Sequence, residues 1–103
     1  MKLATVRQYA LSLDSVAEQP HHELASLRVR GKIFVTMPPG EDVIHVFVDE
    51  DARERALALY PQWCEKLLWG GRVRGLRITL AAASAPAVKS LVRQAYDSKA
   101  TKA

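Results

Sequence analysis

Cysteine is nearly absent from this chain. Its one thiol, Cys64, excludes an intramolecular disulfide framework, and with no Cys-x-x-Cys or His-x-x-x-His pair the sequence offers no zinc-binding spacing. No apolar run approaches the ~20 residues of a membrane span. Charge interrupts the opening Met1-Lys2-Leu3-Ala4-Thr5-Val6-Arg7 too early for a signal peptide, so a cytoplasmic protein without membrane contact is expected. Internal repeats and low-complexity tracts are also missing. With 103 residues, 49% hydrophobic and 25% charged, the chain is expected to fold as one domain over residues 1–103. A domain of that size buries roughly 65% of its unfolded surface without staples.

The richest stretch runs from Leu27 to Val48. Arg30-Gly31 and Pro38-Pro39-Gly40 divide it into three β-branched runs short enough to be strands, which predicts an antiparallel meander. The first strand covers Leu24 to Val29, the second Ile33 to Met37 and the third Val43 to Val48. Residues 14–23 lack periodicity and contain Pro20, so they are expected to form a loop. Trp63 to Trp69 and Arg72 to Leu80, joined by Gly70-Gly71, predict a second hairpin. Helical spacing appears three times, over residues 3–13, 49–60 and 86–99. The last is the clearest, with Val88, Leu91, Val92, Ala95 and Tyr96 on one stripe. Asp49, Glu50, Asp51 and Glu54 crowd the first turn of the middle helix, where carboxylates complement the dipole, with Asp51 and Glu54 at capping-box spacing.

Strands joined by short turns pair antiparallel, and each apolar helix stripe needs a sheet face to cover. The expectation is a two-layer α+β domain, an antiparallel sheet of about five strands with three helices on one face. Alternation then sends Ala25, Leu27, Val29, Leu76, Ile78 and Leu80 toward the helices and Arg28, Arg30 and Arg77 to the open side.

Several pieces resemble the MmcQ/YjbR-like family, small bacterial proteins described as carrying a double-wing DNA-binding motif. They are His22 with Ser26-Leu27-Arg28-Val29, then Gly31-Lys32-Ile33-Phe34-Val35, and finally Leu91-Val92-Arg93-Gln94-Ala95-Tyr96, an order that spans nearly the whole chain. The resemblance implies a frataxin-like α+β fold, with helices on one face of an antiparallel sheet, and DNA as the partner. Departures fall at Leu76, where such proteins often carry tryptophan, and at Trp69-Gly70-Gly71, which stands for a tyrosine-glycine-lysine turn. A frataxin-like iron role would need carboxylates on the first helix, which here bears Lys2 and Arg7 and none before Asp14.

Charge supplies the functional candidates. The formal net charge is +4, but residues 41–60 hold six acidic and two basic groups, whereas residues 61–103 hold eight basic and two acidic. Arg28, Arg30 and Lys32 flank the first turn; Lys66, Arg72, Arg74 and Arg77 surround Gly70-Gly71. These seven are the candidate nucleic-acid contacts, since a guanidinium fork donates two hydrogen bonds to one phosphate. Trp69, near the same turn, adds a stacking candidate. His21 and His22 are adjacent and His45 is alone, so no trio of metal ligands is evident, and Cys64 lacks a recognisable base. The chain is therefore expected to be a non-catalytic, cofactor-free DNA-binding protein, weak and sequence-independent, and a monomer or weak dimer. The alternative is a protein-interaction module that docks an acidic partner on the exposed sheet.

Overall fold

The computed structural model describes residues 1–101. Six strands form one antiparallel sheet in the order β1-β2-β3-β4-β6-β5, comprising β1 (Val16–His21), β2 (Leu24–Val29), β3 (Lys32–Met37), β4 (Val43–Val46), β5 (Cys64–Trp69) and β6 (Arg72–Thr79). Three helices, α1 (Leu3–Leu11), α2 (Glu50–Leu59) and α3 (Ala85–Thr101), complete an α+β fold. α1 packs beside α3 over β1 to β4, while α2 lies against β5 and β6.

Tight turns set the sheet register. Arg30 and Gly31 have φ of 51° and 82°, and Gly70 and Gly71 have 58° and 76°, the paired positive values that let two residues join strands of right-handed twist. The expected meander and second hairpin are present, and the helices begin and end within a few residues of the predicted limits. The stretch predicted as a loop, residues 14–23, instead contains strand β1, which pairs with β2 from Val16↔Val29 to His21↔Leu24. As an edge strand, β1 exposes most of both faces, which erases alternation. Pro20 is tolerated there because an outward-facing N–H is not needed.

One apolar cluster lies between sheet and helices. Leu27, Val35, Ile44, Val46, Leu76 and Ile78 meet Val6, Ala10, Ala56, Val88 and Val92 from the helix layer. The cap of α2 is Asp49, whose carboxylate accepts from the Ala52 N–H at 2.9 Å, rather than the predicted Asp51. Trp63 belongs to the core and stacks on Tyr60 with centroids 4.6 Å apart.

Candidate nucleic-acid interface

Side chains directly opposite in an antiparallel ladder share a face, so register identifies the residues of the open side. One row crosses all six strands: Gln19, Ser26, Thr36, His45, Arg77 and Glu65. Its middle members Ser26, Thr36 and His45 are buried, although the three helices pack their apolar residues against the other face. Neighbouring side chains close over them. Arg28 lies across the β2 end, where its Nε donates to Ser26 Oγ at 3.0 Å and its Nη2 to the Pro20 carbonyl at 3.2 Å. At the other end the Trp69 ring sits edge-on to His45 at 5.7 Å and tilted against Phe47 at 5.4 Å. Phe47, Trp69, Ile33 and Thr36 line an open cleft of about 130 Å³, which His21 and Lys99 complete.

The seven predicted cations divide between the two sides. Arg28, Arg72 and Arg77 share the open face: Arg72 pairs with Trp69, Arg77 with His45 and Glu65, and Arg28 with Ala17 and Ile33. Arg74 is the extra residue of a bulge, where the ladder steps from Leu67↔Gly75 to Leu68↔Val73, and it is exposed. The other three depart from the single basic surface that alternation predicts. Arg30 lies in the turn, beyond the end of strand alternation, and its Nη1 donates to the Ala100 carbonyl at 3.4 Å. A cation there complements the C-terminal end of the α3 dipole. Lys32 is half-buried opposite Val29, and Lys66 is opposite Leu76, so both belong to the helix side. Lys66 is close enough to Glu54 of α2 for its charge to help hold that carboxylate below the ordinary range, after the larger effect of the Arg53 hydrogen bond.

Arg77 is not a bare charge. Its Nη1 meets Glu65 Oε1 at 3.0 Å, but the side chains are 43% and 63% exposed, and such surface pairs contribute only about 0–1 kcal/mol. An incoming phosphate can compete for that guanidinium. Arg72 and Arg74 have no hydrogen-bond or ion-pair partner among the described residues.

His45 shares a hydrogen bond of 3.0 Å between Nδ1 and the Thr36 hydroxyl. Burial first and the Arg77 guanidinium second hold its imidazole below the ordinary value of 6.5. The folded chain thus favours the neutral ring, while the unfolded chain takes up the proton near the ordinary value. Stability from this site is complete above 6.5 and is lost as pH falls through that value toward the folded one. Thermal unfolding between about pH 7 and pH 5 should show a melting temperature that declines on acidification. The decline should be shallower in Arg77→Ala and shallower still in His45→Gln. Equal slopes in parent and His45→Gln would remove His45 as the source.

Cys64 is buried in the core, which pushes its thiol up to about 11 and leaves little thiolate at neutral pH. Among the described residues no three His, Cys, Asp or Glu side chains gather as a metal site. No helix among them is long and apolar enough to cross a membrane. On the opposite side of the molecule, Asp49, Asp51, Arg55, Gln94 and Asp97 line a wide polar groove between α2 and α3. The chain matches no protein-family model, no curated protein and no solved structure.

Proposed function

We propose that the chain binds nucleic acid, DNA in the first instance, weakly and without sequence preference, through the open sheet face. The observation that carries this reading is that Arg28, Arg72 and Arg77 share that face around Trp69 and Phe47, with the exposed Arg74 beside them. Guanidinium forks match phosphate geometry, and aromatic rings between them suit bases rather than a carboxylate-bearing protein surface. The three helices pack on the other face and present none to a major groove here, which fits backbone recognition better than base reading. Membership of the MmcQ/YjbR-like family, proposed on the order of the motifs, would carry the same activity.

Fluorescence anisotropy with labelled DNA tests the reading. Binding should be roughly micromolar at about 50 mM salt, and log affinity should fall with log salt at a slope near −3 for three duplex phosphate contacts. A variant combining Arg72→Glu, Arg74→Glu and Arg77→Ala should lose binding while keeping its fold, since exposed changes cost within about 0.5 kcal/mol each. Arg55→Glu and Arg93→Glu, on the helix side, should matter far less. If the parent shows no salt-sensitive retention of DNA or RNA, or if the triple variant binds equally well, the reading fails. A module for an acidic protein partner then becomes the better account.

A further inference from the structure

The cleft beside the arginines goes beyond what phosphate contacts require. Its volume of about 130 Å³ is well below the ~300 Å³ at which drug-sized ligand sites begin. It suits a single flat ring system. Phe47 and Trp69 supply its aromatic lining, with ring centroids 5.4 Å apart at an interplanar angle of 55°. Ile33 adds aliphatic surface, and His21, Thr36 and Lys99 complete the lining. Trp69 is half-buried, so one side is fixed by neighbours while part of the indole remains reachable.

The spacing of charge and ring matters equally. Arg72 is directly opposite Trp69 in the ladder, which puts their Cβ atoms about 5 Å apart. One nucleotide can therefore engage both, with its phosphate on the guanidinium and its base against the indole. Within a duplex, bases are paired and stacked inward and their faces cannot reach such a cleft; in a single strand they can be splayed out onto aromatic side chains. A polyanion whose charges alternate with flat apolar rings fits arginines interleaved with an aromatic cleft more closely than any acidic protein surface does.

Resting on the nucleic-acid reading above, we infer that the preferred ligand is a single strand. One unstacked base enters the cleft against Trp69 and Phe47, and the adjoining phosphates lie on Arg72 and Arg77. The test uses the full chain and three labelled ligands about ten nucleotides long, within the range of single-strand sites: oligothymidylate, a duplex, and an abasic strand that keeps the phosphates without the bases. Oligothymidylate should bind about tenfold more tightly than the abasic strand and more tightly than the duplex. In a Trp63→Phe background, the remaining Trp69 emission should be quenched as oligothymidylate binds. Trp69→Leu should weaken oligothymidylate about tenfold and weaken the duplex much less. The abasic strand makes the result independent of how any variant folds. If abasic and base-bearing strands bind alike, or the duplex is preferred, the base cleft is refuted while arginine-dependent retention still supports the broader reading. Absence of salt-sensitive retention for all three ligands would overturn both.

Discussion

Phe34→Ala should lower the unfolding free energy by about 3–5 kcal/mol, the range for emptying a large aromatic site in a packed core. In a domain near this size that corresponds to a fall in melting temperature on the order of 20 °C. Phe34 is fully buried and owes its position to a break in strand pairing. The β2–β3 ladder steps from Leu27↔Val35 to Arg28↔Ile33, leaving Phe34 as the extra residue. A bulge re-aims its side chain, and here Phe34 packs edge-on to Tyr96 of α3 at 5.7 Å. Tyr96 is itself tethered, its hydroxyl donating to the Asp14 carbonyl at 2.7 Å. With the surroundings held in this way, little collapse can fill the void. Thermal and urea unfolding of Phe34→Ala and Phe34→Leu would measure the effect, with the leucine variant losing much less. A loss below about 1.5 kcal/mol for alanine, the scale of volume-conserving swaps, would mean that the ring does not lock β3 to α3.

That bulge also explains how much of the molecule was legible in the sequence. Val88, Leu91, Val92 and Ala95 recur at helical spacing, and all four are buried in α3. The alternation of Leu76 and Ile78 likewise places both in the core. Such patterns survive because one face of each element is covered. β1 carries no equivalent signal, since its edge position leaves polar residues acceptable on both sides. The site was harder to read because it depends on register between strands. Alternation alone put Arg28 and Arg30 together, yet Val29 ends the strand and Arg30, with φ of 51°, turns to the end of α3. Lys66 is near Gly70-Gly71 in sequence, but it is an odd number of residues from Trp69 and so projects from the other side of β5. The cleft residues His21, Ile33, Thr36 and Phe47 come from β1, β3 and the end of β4, and these segments become neighbours only through three strand pairings. Thr36 and His45 did leave a trace: each is a polar residue within a run of buried apolar ones, the mark of a second face that is also closed.

Gly75→Ala should destabilise the chain by about 3 kcal/mol, at the upper end of ordinary overpacking. Removing a glycine from a strand interior normally helps by about 0.5–1 kcal/mol through backbone entropy, so the expected sign depends entirely on space. There is none. A Cβ at this position would fall 2.5 Å from the Val46 carbonyl oxygen and 3.2 Å from Phe47 Cα. Both are backbone atoms, which cannot rotate aside as the tip of a side chain would. Val46 pairs with Leu76, the next residue along β6, so displacing it pulls on the β4–β6 ladder inside the sheet. The same push moves Phe47, which packs against Trp69 and lines the cleft. Stability and the proposed base site should therefore fail together. In urea the midpoint should fall, and in the folded fraction at low denaturant the Trp69 emission of a Trp63→Phe background should shift as its Phe47 contact loosens. A midpoint equal to that of the parent would show that β4 and β6 do not approach so closely. A lowered midpoint with unchanged Trp69 emission would separate the strand junction from the cleft.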